Sequence, residues 1–227
     1  MSPLNQSAAR RELLEICRLT YLRGYLCGTE GNLSIKVKGE RLLSTPSNSC
    51  KGLLKADDLI LTDMNGQLIG NKNKPGLKPS TELKMHLLAY KMRDDVFAIV
   101  HAHPTVAVAL TVAGKSLAPP ILPEAVCTLG SIPTAPYATP STDEVPESLR
   151  PYLADYDAIV LDHHGAITLG GTIAEAFFKL ETLEHHAKTL LIAESVGKAI
   201  SLNPEQISKL MAIRSVYGLT KPVPIQS

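Results

Sequence analysis

Apolar and polar positions along this 227-residue chain fall into two periods. From about Ala8 to Arg23, Leu13, Leu14, Ile16, Cys17 and Tyr21 recur at helical spacing and Gly24 supplies a stop, which predicts an amphipathic helix. After the turn Gly28-Thr29-Glu30-Gly31-Asn32 the pattern changes to the two-residue alternation of strands, over Leu33 to Val37 and Arg41 to Thr45. Leu59 to Thr62 and Gln67 to Ile69 flank Asn65-Gly66, two residues that accept positive φ, and predict a hairpin. Asn71 to Pro79 reads as a polar loop, after which Pro79-Ser80-Thr81-Glu82 opens a helix running to about Arg93. Apolar Val96 to Val100 is a buried strand, followed by a short helix from Pro104 to Ala113. Ile121 to Ala138 reads as Pro-rich and extended, and Ala158 to Leu161 as a further buried strand. Ser141-Thr142-Asp143-Glu144 and Thr172-Ile173-Ala174-Glu175 are capping boxes, the second for a long helix ending near Gly197. Asn203-Pro204-Glu205-Gln206 caps a last helix that stops at Gly218. Strands interleaved with helices, without repeats or a linker, predict one α/β domain over residues 1–227, a mixed sheet flanked by helices.

Composition narrows the function classes. A hydrophobic content of 44%, a charged content of 20% and a net charge of +1 belong to a globular protein and argue against nucleic acid or an anionic membrane as partner. No apolar run reaches the roughly 20 residues of a membrane span, and Met1 to Gln6 lack the apolar core of a signal peptide. Cys17, Cys27, Cys50 and Cys127 are scattered without a C-x-x-C pair, so free thiols in a cytoplasmic enzyme are expected.

The chemistry concentrates where strands end. His101 and His103 leave the Val96–Val100 strand two residues apart, hence on one side. The apolar run Ala158–Leu161 likewise ends in Asp162-His163-His164-Gly165. Two such ends can supply three imidazole nitrogens, the equipment of a catalytic Zn²⁺ with an open position. Spacing leaves open whether His163 or His164 contributes. Taken alone, Ser80 reads as an N-cap and Glu82 as an acid favoured by the helix dipole, while Asn32 and Ser47-Asn48-Ser49 read as turn residues.

Together, Gly28-Thr29-Glu30-Gly31-Asn32-Leu33-Ser34, Thr45-Pro46-Ser47-Asn48, Pro79-Ser80-Thr81-Glu82 with His86, His101-Ala102-His103 and His164-Gly165 resemble, in order and spacing, the class II aldolase/adducin family. The likeness runs to Val216-Tyr217-Gly218-Leu219 and is nearest to the family's fuculose-phosphate-cleaving branch. It implies a three-layer αβα fold with a mainly antiparallel sheet, and one Zn²⁺ per subunit on His101, His103 and His164, with His163 a neighbour. It also implies Glu82 as the catalytic acid/base, able to approach the metal when substrate is absent, and a phosphate site of Asn32, Ser47, Asn48, Ser80 and Thr81. Tyr217 would close the site, which lies at a subunit boundary of a homotetramer. The implied reaction is reversible cleavage of a ketose 1-phosphate, of the L-fuculose 1-phosphate kind, to dihydroxyacetone phosphate and a small aldehyde. A metal-stabilised enediolate suits that chemistry, since a Lewis acid stabilises the charge left when the carbon–carbon bond breaks and a placed carboxylate moves the proton.

Two departures stand out: Asn48 replaces the family's Gly, and Leu122 stands where family aldolases carry a proton-donating Tyr, leaving Tyr217, Tyr137 or a water for that role. Related enzymes use the same site for dehydration of methylthioribulose 1-phosphate or for decarboxylation of oxo-tetronate phosphates. The family's epimerases carry Asp at the position of Glu82. A non-enzymatic alternative is an adducin-head-like interaction module, against which the intact histidines and Glu82 argue.

Overall fold

A computed structural model describes residues 4–69, 76–219 and 221–225. Helix α1 (Gln6–Leu22) is capped by Asn5, whose side chain accepts from the Ala8 amide at 2.9 Å. Its inner face is Ala9, Leu13, Ile16, Cys17 and Thr20. Tyr21, expected inside, is exposed, and Thr20 takes the inner position by returning its hydroxyl to the Ile16 carbonyl. Strands β1 (Asn32–Val37), β2 (Arg41–Ser44) and β3 (Ile60–Asp63) form an antiparallel meander. The Asn65-Gly66 hairpin closes as expected, but its second arm is a single bridge, Thr62 to Leu68, rather than a strand. Asn71 to Pro75 of the expected polar loop lie outside the described residues.

Helix α2 (Leu83–Met92) starts later than the sequence suggests, because Ser80 and Thr81 form a turn and Glu82 is the residue just ahead of the helix. Strand β4 (Ala98–Ala102) leads into α3 (Thr105–Val112). The stretch from Ile121 to Ala138 is not extended throughout: it holds helix α4 (Pro123–Thr128), started by Pro123, and the short strand β5 (Thr134–Ala135). Before α5 (Glu144–Leu153) the expected box does not form. Ser141 sits at φ 69° facing Thr81, and Glu144 accepts from the Thr139 amide instead. Strand β6 (Ala158–Leu161) is followed by β7 (Gly165–Gly170), which sequence patterning missed. Helix α6 (Ile173–Val196) is capped by Thr172, although Glu175 reaches back to Gly171 rather than to the cap itself. The Asn203–Gln206 box before α7 (Pro204–Ile213) forms as expected. No described helix is long and apolar enough to cross a membrane.

The seven strands form one sheet in the order β3-β2-β1-β4-β7-β6-β5, antiparallel except for the β5–β6 pair. Strand residues alternate between two cores, which is why the sheet is covered on both faces. Leu33, Ile35, Val37, Ala98, Val100, Ala158 and Val160 pack with α1, α3 and α6. Ile99, Ile159, Leu161, Ile167 and Leu169 pack with α2 and α5. On that second face β1 carries polar Asn32 and Ser34, and β4 carries His101. Polar chemistry is therefore set into one end of the α2 side.

A charged cluster holds the far edge. Asp157, nearly buried, accepts from Arg93 at 2.8 Å, from Lys179 at 2.9 Å and from Lys221. Burial opposes its ionisation, but the attraction of Lys179 and the hydrogen bonds from Lys179, Lys221 and Arg93 outweigh it and hold the carboxyl below its usual value. Such a group adds stability above the unfolded pKa of about 4, and that stability is lost as pH falls through the lower folded value. Asp157→Ala leaves Arg93 and Lys221 with only the half-exposed Asp95 and Lys179 with only the half-exposed Glu175, and is expected to cost about 3 kcal/mol. Thermal melting checks it: a drop of roughly 10 °C at pH 7 should shrink as pH falls below the usual carboxylate range and through the lowered folded value.

Candidate active site

Local register assembles the site. Asn32 of β1 lies directly opposite His101 of β4, and Ala102 opposite Ala166 of β7. Gly31 turns into β1 at φ 65°, and a Cβ there would stand 2.6 Å from the His101 carbonyl, so only glycine brings Asn32 alongside. Gly165 has the same necessity on the other side. A Cβ there would stand 2.7 Å from the His103 ring and 2.6 Å from the Ala102 carbonyl. The His164-Gly165 pair is thus one ring and the space that another ring needs.

The three imidazoles converge. Their centroids form a triangle of 5.0 Å sides with interplanar angles of 65–71°, and one nitrogen from each lies within 4.8 Å of the others. The outer nitrogens of two rings are engaged: His101 Nδ1 lies 3.0 Å from the Ala166 carbonyl and His103 Nδ1 3.2 Å from a Glu30 oxygen. A ring that donates from Nδ1 presents a lone pair at Nε2. His101 Nε2 and His103 Nε2 then face each other at 3.2 Å as two acceptors, an arrangement that calls for a cation between them. Burial, then repulsion from His101 and His164, depresses the His103 pKa to about 3, so a proton is not the natural occupant at neutral pH. The donor set suits a divalent metal of the zinc type. His163 stands apart at φ 56°, its half-exposed ring paired with Asp162 at 2.8 Å.

Glu82 closes the fourth side. One carboxylate oxygen lies 3.1 Å from His164 Nε2, the other 3.4 Å from His101 Nε2 and 2.8 Å from the Asn32 amide that donates to it. Burial works against its charge, but positive charge and hydrogen bonding on the His101 and His164 side outweigh that and keep the carboxyl well below the usual range, a pull that a cation held by those rings would exert as well. One turn on, His86 is fully buried with Nδ1 2.7 Å from the Ser34 hydroxyl, and burial holds its pKa down to about 3.

A cleft of about 300 Å³ opens beside this group, lined by Glu82, His103 and His164 together with Ser47, Asn48, Ser80 and Thr81. A bridge between Pro46 and Pro79 brings the two loops together. Asn48 takes φ 52°, so the turn expected of glycine survives with asparagine in it. Glu30, Lys51 and Ser141 also line the cleft; in the sequence Glu30 reads as a turn residue and Ser141 as a helix cap, and none of the three is given a role in the site. Tyr217 is exposed at the end of a 3₁₀ turn (Arg214–Tyr217), and neither it nor Tyr137 lines the cleft within this chain. Leu122 caps α4 through backbone only. A larger groove of about 620 Å³, near Thr111, Tyr152 and Asp162, carries none of the three imidazoles and no Glu82.

Residues 11–191 match the family model for the class II aldolase and adducin N-terminal domain. The chain belongs to that family. Among relatives of the class II aldolase family, L-fuculose phosphate aldolase of Methanocaldococcus jannaschii is 32% identical over 83% of this chain and 99% of its own. The 3-oxo-tetronate 4-phosphate decarboxylase of Pectobacterium atrosepticum is also 32% identical, over 83% of this chain and 86% of its own. A solved L-fuculose 1-phosphate aldolase superposes with a TM-score of 0.81 at 28% identity, covering 91% of this chain and 95% of that one. The seven-stranded mixed sheet flanked by helices is therefore the class II aldolase fold.

Proposed function

We propose that this chain is a zinc-dependent aldolase that reversibly cleaves a ketose 1-phosphate, of the L-fuculose 1-phosphate kind, to dihydroxyacetone phosphate and a small aldehyde. The observation that carries this reading is the carboxylate of Glu82 set across from three convergent imidazole nitrogens, beside a cleft lined with hydroxyl and amide groups. His101, His103 and His164 would hold the Zn²⁺, which supplies Lewis acidity for the charge that builds on substrate oxygens as the carbon–carbon bond breaks.

The chain's own groups account for the remainder. Glu82 carries the proton to or from the reacting carbon, and the Asn32 amide keeps the carboxylate aimed and ionised. Ser47, Asn48, Ser80 and Thr81 line the cleft and hydrogen-bond the phosphate, with Asn32 buried behind them on Glu82, fixing the far end of the substrate so that binding energy is spent on alignment. The Thr81–Ser141 hydroxyl contact at 2.8 Å ties this wall to the loop before α5. Tyr217 is read as a residue that closes the site across a subunit boundary in a homotetramer.

Incubation with fuculose, rhamnulose, ribulose and 5-deoxyribulose 1-phosphates, with dihydroxyacetone phosphate measured, tests the proposal. At least one is expected to yield the triose phosphate. A second reading, decarboxylation of a 3-oxo-tetronate 4-phosphate, is favoured by the equal identity to the Pectobacterium relative and by Leu122 in place of a tyrosine. Release of CO₂ from that substrate, with no triose phosphate from the four ketose phosphates, would replace the aldolase reading.

A further inference from the structure

We propose that Lys51 is the counter-charge for the substrate's phosphate monoester: its ammonium, lining the same cleft as Ser47, Asn48, Ser80 and Thr81, takes the negative charge that those neutral donors orient. The inference rests on the phosphorylated-substrate reading above and assigns it a residue of its own.

Lys51 opens a 3₁₀ turn (Lys51–Leu53) just after the Pro46–Asn48 loop and is only 3% exposed, an uncommon state for lysine. Its one hydrogen bond among the described residues goes from Nζ to the Thr29 carbonyl, a neutral acceptor that uses one of three donors. No carboxylate among the described residues lies within ion-pair distance of it. Besides the thiols of Cys17 and Cys50, the two carboxylates near enough to influence it are engaged elsewhere, Glu30 with His103 and Glu82 with Asn32, His101 and His164. A buried ammonium without a counter-ion is costly, and burial pushes the Lys51 amine below its ordinary value.

The neighbouring donors have the complementary deficit. Hydroxyl and amide groups hydrogen-bond a phosphate but bring no charge, while a phosphate monoester carries close to two negative charges at pH 7. Glu30 and Glu82 on the same cleft offset the charge of a divalent cation held by the three imidazoles, so without Lys51 no net positive charge would be left to receive the anion. Lysine binds phosphate as a point charge with rotatable donors, which suits a group held by its stem at one wall. The competing role is a strut for the Thr29–Asn32 turn, and the two roles separate experimentally.

The test is calorimetric titration of the purified, metal-loaded protein with inorganic phosphate, dihydroxyacetone phosphate and unphosphorylated dihydroxyacetone. Lys51→Met is expected to weaken both phosphorylated ligands about 10- to 100-fold, as for a lost charge-assisted hydrogen bond. Dihydroxyacetone binding, metal content and the melting midpoint should stay as in the wild type, and KM should rise more than kcat falls. Lys51→Arg should recover most of the affinity. Equal phosphate affinity in Lys51→Met and wild type would overturn the inference alone. Parallel loss of dihydroxyacetone would overturn it in favour of the strut. A wild type that binds neither phosphate ligand would bring down the phosphorylated-substrate reading and this inference with it. Should Lys51→Met fail to fold by circular dichroism, Lys51→Gln against Lys51→Arg makes the same comparison with the stem retained.

Discussion

Glu82→Gln is expected to lower turnover by about 10²- to 10⁴-fold while the protein retains its metal. The substitution keeps shape and one hydrogen-bonding oxygen, so the turn ahead of α2 and the Asn32 contact can persist. What it removes is the basic lone pair and the negative charge 3.1 Å from His164 and 3.4 Å from His101. Since Glu82 is nearly buried, water cannot readily stand in as base, which sets the size of the loss. The paired measurement is kcat together with elemental analysis. Turnover near that of the wild type would remove Glu82 as the acid/base, and loss of metal along with activity would recast it as a ligand.

His103→Ala is expected to empty the metal site and reduce activity to background. It is a cleaner probe than His101, whose ring is fully buried within the sheet, because His103 lies beyond the end of β4 and its ring is 22% exposed. Removing it leaves two imidazoles, and catalytic zinc sites hold their ion through three protein ligands. Its Nδ1 contact with Glu30 should matter more mildly, since outer partners of metal-bound histidines tune affinity by about 10- to 100-fold. Full metal content in His103→Ala by elemental analysis would refute the ligand role. A melting midpoint close to that of the metal-free wild type would show that the loss is local.

The legible part of this molecule was its periodic part. The caps at Thr172 and Asn203, the helices they start and the strands entering His101 and His163 could be read because hydrophobic spacing and capping chemistry are local. The His101–His103 pair followed from strand alternation alone, whereas the choice of His164 over His163 needed the likeness to the family and now rests on the meeting of three rings. β7 escaped because Gly165-Ala166-Ile167-Thr168-Leu169-Gly170 begins and ends in glycine and has no polar alternation, being buried on both faces. Ser141 misled as a cap because its hydroxyl is drawn to Thr81, sixty residues away in sequence. Lys51 was silent for a related reason: a lysine after a turn looks solvated until a fold closes over it.

The pairing of Asn32 with His101, and of His101 with Ile167, has a consequence for how function can fail. Side chains on a strand change sides with every residue, so a shift of β4 by a single position would send the imidazole into the oily layer beneath α6 and lift Val100 or Ala102 into its place. Activity and correct folding are in that sense encoded by one alignment of three strands. An error of register should therefore abolish both together, unlike the local loss expected of His103→Ala, and folded yet weakly metallated molecules with a slipped sheet are not an available intermediate.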